Sequence, residues 1–115
     1  MKKVDFVQFN IDVNEACDKL VIVHFSSVWN ASCKMVNENL SKIEEEFSPK
    51  IICFEINYYK YDTISNIFGI ERVPSVVFIK DSVYLWKTVG NKFLAYEPLR
   101  DRAILYLGKS DDQRV

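Results

Sequence analysis

The run Leu20–Phe25 is the part of this chain that most restricts its fold. Five of its six residues are apolar, and the exception is His24. An apolar run of this length predicts a strand that is buried on both sides within a sheet. After it, between Ala31 and Phe47, apolar residues recur at helical spacing. A buried strand that leads into an amphipathic helix predicts an α/β fold.

Strand and helix patterns alternate along the rest of the chain. The predicted strands are Val4–Phe9, Leu20–Phe25, Ile51–Ile56, Val73–Ile79 and Val83–Val89. The predicted helices are Asp12–Lys19, Ala31–Phe47 (ending before Pro49), Asp62–Phe68 (stopped by Gly69) and Glu97–Leu107, which presents Leu99, Ala103, Ile104 and Leu107. The order β-α-β-α-β-α-β-β-α predicts a mixed central sheet of four to five strands with helices on both faces. Residues 1–108 should form one domain, and residues 109–115 a polar tail or the start of a linker.

Composition excludes several classes of protein. The chain has 115 residues, of which 49% are apolar, so it can bury a core and is not disordered. Its net charge of −1 and its scattered basic residues argue against a nucleic-acid surface. Its longest apolar run is about six residues, whereas a bilayer span needs about 20. No apolar signal core follows Met1, so no membrane association is expected.

The cysteines predict the compartment and argue against a metal. The three of them are odd in number and widely spaced, at Cys17, Cys33 and Cys53. This usage fits a reducing compartment, and we expect a cytosolic protein that can also be nuclear. One histidine and three dispersed cysteines lack the close pairing of zinc ligands, so neither a metal nor another cofactor is expected.

The junction between the buried strand and the long helix carries the candidate chemistry. Residues 29–34 read Trp-Asn-Ala-Ser-Cys-Lys. A Cys-x-x-Cys site can cycle between dithiol and disulfide because both sulfurs come from one turn of chain. Here Asn30 stands where the first cysteine is needed, and Cys33 is the only sulfur within local reach. Asn30 cannot act as a nucleophile, but it is a strong N-cap residue for the helix.

These residues resemble those of thioredoxins. The run Val23–Met35 is similar to their active-site segment, and Phe68–Ile70, Val73–Ser75 and Val89–Gly90 fall where thioredoxins carry similar pieces. The resemblance covers about Leu20–Leu107 and implies a thioredoxin fold. It also implies that the proline of Val73–Ser75 is cis and that the neighbouring backbone pairs with a bound substrate peptide.

Two departures from the thioredoxin pattern decide the functional interpretation. Thioredoxins carry a nucleophilic cysteine at the place of Asn30 and a buried aspartate at the place of His24. With Cys33 retained, this combination is most similar to the thioredoxin-like domain that precedes the glutaredoxin domains of multidomain monothiol glutaredoxins. That domain is regarded as a non-catalytic docking unit in proteins that handle iron–sulfur clusters. This sequence holds no glutaredoxin domain, so it is either an excised domain or a stand-alone relative.

Cys33 and His24 each have a functional and a structural interpretation. Cys33 either forms a slow mixed disulfide or glutathione adduct, or is a small buried apolar residue. His24 lies behind Cys33 on the thioredoxin template. It either activates that thiol as a Cys–His pair or is a hydrogen-bonded core histidine. Burial favours neutral imidazole and neutral thiol, and thus the structural interpretation of both.

Two functions follow from different classes of protein. The first is a redox-inactive or monothiol docking module in cell redox homeostasis, linked to glutaredoxin-type iron–sulfur handling, with a glutaredoxin domain as a candidate partner. A protein or peptide would dock on a surface of Trp29, Asn30, Val73 and Pro74, with Phe93 beside it. The alternative is a weak thiol-disulfide oxidoreductase that uses Cys33 assisted by His24. A pure scaffold role is less favoured than either.

Overall fold

A mixed five-stranded sheet forms the centre of the molecule. The computed structural model describes residues 1–3, 6–16, 18–27, 30–58, 66–70, 72–89 and 94–108. The elements in chain order are β1 (Lys2–Lys3), α1 (Phe6–Glu15), β2 (Leu20–Ser26), α2 (Ala31–Phe47), β3 (Ile51–Asn57), β4 (Ser75–Lys80), β5 (Val83–Val89) and α3 (Tyr96–Leu107). The strand order is β1-β3-β2-β4-β5, with β1 and β2 parallel to β3, and β4 antiparallel to β2 and β5. The predicted α/β class and strand number are confirmed.

Both faces of the sheet are covered. Successive side chains of a strand point to opposite sides, so the apolar residues of β2 divide between the two faces. On one face, Leu20 and Ile22 of β2 join a core cluster with the buried sides of α2 and α3. On the other face, Val21 and Phe25 join a second cluster that includes Phe9 of α1. The prediction of helices on both faces is therefore confirmed, and β2 is buried along its whole length.

The helix α2 positions the candidate site. It begins after the N-cap Asn30 and ends at Phe47, ahead of Pro49, as the sequence predicted. Val36, Leu40 and Ile43 are fully buried and lie on one face of the helix. Burial of this face against the sheet fixes the rotation of α2 about its own axis. None of the helices in the described ranges is both long and apolar enough to cross a membrane.

The prediction for the N-terminal segment is wrong. Residues 6–9 of the expected strand Val4–Phe9 are helical, since helix α1 begins at Phe6, and residues 4 and 5 lie outside the described residues. Phe9, Val13 and Ala16 recur at helical spacing and pack together in the second core cluster. This helical spacing favours a helix over the predicted short strand, and it moves the predicted Asp12–Lys19 helix toward the N-terminus.

In the second half of the chain the predicted strands and last helix form, with shifted limits. β4 starts at Ser75, two residues after the predicted start, and the turn before β5 places Asp81 and Ser82 at positive φ. In α3, Leu99 and Ala103 are buried as expected, whereas Ile104 is 42% exposed and Tyr106 is buried in its place. Most of the predicted helix over residues 62–68, Gly90 and residues 109–115 lie outside the described residues.

Candidate functional site

Asn30 connects the end of the central strand to the start of α2. Its backbone is extended, with φ −114° and ψ 113°, and its side-chain Oδ1 accepts a 2.9 Å hydrogen bond from the Ser32 amide. Its backbone carbonyl accepts from the Cys33 amide at 3.1 Å, and its own amide donates to the Ser27 carbonyl at 3.2 Å. The predicted role of Asn30 as N-cap is confirmed.

The same side chain reaches the loop ahead of β4. Asn30 Nδ2 donates a 3.2 Å hydrogen bond to the carbonyl of Val73. The Val73–Pro74 peptide bond is cis, as the resemblance implied, and Pro74 is buried while Val73 is half-buried. The structure therefore brings together three of the four residues of the predicted docking surface. The fourth, Trp29, lies outside the described residues, as does Phe93.

Cys33 lies in the first turn of α2 with its thiol facing the protein interior. The residue is 3% exposed, and its Sγ accepts a 3.4 Å hydrogen bond from the Ser27 amide. Burial raises the pKa of the Cys33 thiol, and the nearby charge of Glu55 raises it further, against the opposing effect of the Ser27 amide. The neutral thiol is thus the stable form at neutral pH, and a thiol in this form is a poor nucleophile.

His24 lies on β2 and is completely buried. Its Nδ1 lies 2.6 Å from Asn37 Oδ1, and its Nε2 has no hydrogen-bond partner in the described part of the chain. Burial lowers the pKa of His24, although Asn37 and the charge of Glu55 oppose the shift. Neither ring nitrogen bonds to Cys33, so the described contacts do not contain the predicted Cys–His pair. The catalytic roles of Cys33 and His24 remain predictions.

A polar network that includes the half-buried Asn37 and Glu55 lies beside His24 instead. Glu55 lies beside His24 in the β2–β3 register, and its Oε2 accepts from Ser26 Oγ at 2.7 Å and from Asn37 Nδ2 at 2.9 Å. Burial alone would raise the pKa of Glu55. The two hydrogen bonds, together with the positive charge of Lys3, outweigh it and lower that pKa. Asn37 therefore links a neutral imidazole to a carboxylate across the space between α2 and the sheet.

Sequence reasoning missed Asn37 and Glu55. A signal for Glu55 was present, since it is a charged residue inside the otherwise apolar run Ile51–Ile56. A charge in a buried strand indicates a partner, because an unpaired buried charge is very costly. Asn37 gave no comparable signal, since asparagine is common on solvated helix faces.

Comparison with known proteins decides the family. The thioredoxin family model matches residues 1–96. This chain belongs to the thioredoxin family.

Individual thioredoxins show how far that similarity extends. Thioredoxin H4 of Arabidopsis thaliana is 26% identical over 80 residues, which cover 70% of this chain and 67% of that protein. The chloroplastic thioredoxin M3 of Oryza sativa subsp. japonica is 30% identical over 61 residues, which cover 53% of this chain but only 35% of that protein. The structure of thioredoxin f from spinach chloroplast superposes with a TM-score of 0.83 at 21% identity, covering 93% of this chain and 86% of that one. The family match and the thioredoxin relatives indicate a redox-related, thioredoxin-like function, and the structural superposition confirms the thioredoxin fold.

Cys53, the other cysteine that the structure describes, does not add to this thioredoxin site. Cys53 on β3 is fully buried, its thiol donates to the Leu40 carbonyl at 3.6 Å, and burial raises its pKa strongly. Cys17 lies outside the described residues. Within the described ranges, no three His, Cys, Asp or Glu side chains are grouped so that they could hold a metal ion.

Proposed function

We propose that this chain is a redox-inactive, thioredoxin-like docking module that acts in cell redox homeostasis. The observation that carries the proposal is the position of Asn30. By the resemblance, Asn30 takes the place of the attacking cysteine of thioredoxins, and its carboxamide is hydrogen bonded to Ser32 and Val73. A carboxamide cannot attack a disulfide, so the first step of dithiol exchange has no nucleophile at this position.

Cys33 does not replace the missing nucleophile. Exchange begins with a thiolate, and burial holds this thiol in its neutral form. A second sulfur would also be needed to release a mixed disulfide. Among the described residues the other thiol is Cys53, which is fully buried on β3.

The backbone next to Pro74 supports docking. Val73 and Pro74 lie ahead of β4, so they precede the stretch that pairs with β2 and β5. A main-chain group that lies outside the strand pairing of a sheet can bond to an extended peptide, with main-chain hydrogen bonds for affinity and side chains for specificity. We propose that a protein or peptide segment docks here, with Trp29 as a further contact.

The narrower part of the proposal is the link to glutaredoxin-type iron–sulfur handling. It is supported by the combination of His24, Asn30 and Cys33, which is similar to the thioredoxin-like domain of multidomain monothiol glutaredoxins. We place the protein in a reducing compartment, the cytosol or nucleus, on its cysteine usage. A reading frame that continues beyond Val115 into a Cys-Gly-Phe-Ser-type glutaredoxin domain would support this link, and a stop codon there would remove it.

Insulin reduction tests the docking proposal. We expect the protein to reduce insulin disulfides at the background rate when supplied with thioredoxin reductase and NADPH, or with glutathione, because no nucleophilic thiol is exposed at position 30. A dithiol thioredoxin in the same assay is the positive control. Turnover close to that of the control would refute a redox-inactive module.

Alkylation of Cys33 tests the alternative, a weak thiol enzyme assisted by His24. We expect native Cys33 to react with iodoacetamide several-fold more slowly than free cysteine at neutral pH, because burial both raises its pKa and shields Sγ. Mass spectrometry of the peptide that contains Cys33 measures the rate as a function of pH. An inflection near neutral pH that disappears in His24→Gln would instead support the thiol enzyme.

A further inference from the structure

We propose that Asn30 regulates docking to this module by bonding to the carbonyl of Val73, to which a peptide would otherwise bind. We call this hydrogen bond the latch. The Asn30 side-chain Nδ2 occupies the carbonyl of Val73, and an incoming peptide must displace it before it can pair with that carbonyl. The inference rests on the proposed docking function and adds its regulation. It makes Asn30 a specificity-determining residue as well as a helix cap.

The position of Val73 keeps its carbonyl out of the strand pairing of the sheet, so a docking peptide can bond to it once Asn30 is displaced. In the register of β4, the last pairs are Phe25 with Ser75 and Ser75 with Val89. The Val73 carbonyl lies before these pairs and outside the strand ladders. Within the described residues, the hydrogen bond to this carbonyl comes from Asn30 Nδ2 at 3.2 Å.

The chemistry of the carboxamide explains why asparagine suits this position. The Ser32 amide needs an acceptor, and the Val73 carbonyl needs a donor, so the two bonds fix which end of the carboxamide faces which partner. Serine, threonine or aspartate would cap the helix equally well. Of these, none combines an acceptor for one partner with a second, oppositely placed donor for the other. The cap alone therefore does not account for asparagine.

The latch lowers the affinity for a docking peptide by a modest factor. A neutral hydrogen bond of this type changes an equilibrium constant by about two- to tenfold. A peptide gains full affinity only if it gives an N–H to the Val73 carbonyl in place of the Asn30 donor. The matching partner is thus an extended peptide segment with a main-chain N–H facing this carbonyl.

Peptide titration of Asn30→Ser tests the latch. Serine keeps the helix cap but removes the donor to Val73. The probe is a short blocked peptide of alternating threonine and valine with terminal lysines, and binding is followed by NMR shifts of the Val73 carbonyl carbon. We expect Asn30→Ser to bind it about two- to tenfold more tightly than the parent protein.

A matched control comes from the same helix. Asn39 Nδ2 donates its 3.1 Å hydrogen bond to the Leu94 carbonyl and not to that of Val73. Asn39→Ser removes a bond of the same kind and should leave the peptide affinity unchanged. In the free parent protein, the two Asn30 Nδ2 protons should resonate apart from those of solvated asparagines and move on peptide binding.

The outcomes separate the latch from the docking function. Equal affinity of the parent protein and Asn30→Ser overturns the latch but leaves docking intact. Absence of binding to both proteins overturns docking at this surface and the latch with it. Tighter binding by both Asn30→Ser and Asn39→Ser attributes the gain to a general loosening of α2, and also overturns the latch.

Discussion

Asn30→Cys is expected to give this protein insulin-reducing activity at least about tenfold above that of the parent, since it restores a nucleophile to a site that otherwise keeps its geometry. The new thiol would lie at the N-terminus of α2, where the first-turn amide groups stabilise a thiolate and lower its pKa. The Val73 carbonyl and Cys33 already lie beside position 30. The measurement is the rate of insulin precipitation with dithiothreitol as the electron source.

The reaction would proceed in two exchanges. The thiolate at position 30 attacks one sulfur of an insulin disulfide, and the other insulin sulfur leaves as a thiolate. Cys33 then attacks the mixed disulfide and releases the second insulin sulfur, leaving a disulfide in this protein for dithiothreitol to reduce. Because burial raises the pKa of Cys33, the second exchange should be the slow one. The variant should therefore remain slower than a dithiol thioredoxin.

Two controls isolate the chemistry of the substitution. Asn30→Ser changes the same position without adding sulfur and should stay at background. Asn30→Cys combined with Cys33→Ser should form a mixed disulfide with insulin that only dithiothreitol can release, so its turnover should fall below that of Asn30→Cys. A folded Asn30→Cys protein without activity would show that the site has lost more of the thioredoxin geometry than its first cysteine.

Sequence alone determined α2 because both of its ends carry strong local signals. Asn30 is a favoured N-cap type, and Pro49 cannot continue a helix, so the helix limits agree with the prediction. Residues 4–9 carry no such boundary signal. Their short apolar pattern fits a strand as well as one turn of helix, and only packing of Phe9 against the second core cluster decides between them.

The amino-acid sequence predicted the chemistry of the site only in part. The loss of the nucleophile is local, so Asn30 revealed it directly. The hydrogen bond from Asn30 to Val73 joins residues 43 positions apart, and the one from Asn37 to Glu55 depends on how α2 lies over β3. Such contacts follow from sheet register and helix rotation, which the pattern of apolar residues does not specify at the level of single polar atoms.

Acidification is expected to destabilise this protein through His24 alone between about pH 6.5 and pH 5. His24 is the one histidine of the chain, and burial lowers its pKa in the folded state. Below about pH 6.5 the unfolded chain binds a proton at this histidine while the folded protein does not. The free energy of unfolding should therefore decrease as the pH is lowered, by up to about 1.4 kcal/mol per pH unit, until the pH reaches the pKa of His24 in the folded protein.

The neighbouring carboxylate acts in a different pH range. The pKa of Glu55 is lowered in the folded state, so its contribution is complete above its unfolded value and is lost only on further acidification, below about pH 4.3. Both groups make the protein less stable in acid. The window from about pH 6.5 to pH 5 lies above the range of unperturbed carboxyl groups and so belongs to His24.

His24→Gln provides the matched variant, because a glutamine amide can donate to Asn37 Oδ1 without titrating. Urea unfolding at several values of pH measures the slope, whatever the stability of the variant at neutral pH. We expect the parent protein to lose stability across the window and His24→Gln to show a flat profile there. Equal slopes in the two proteins would mean that His24 titrates alike in the folded and unfolded states, which would contradict the buried, neutral imidazole bonded to Asn37.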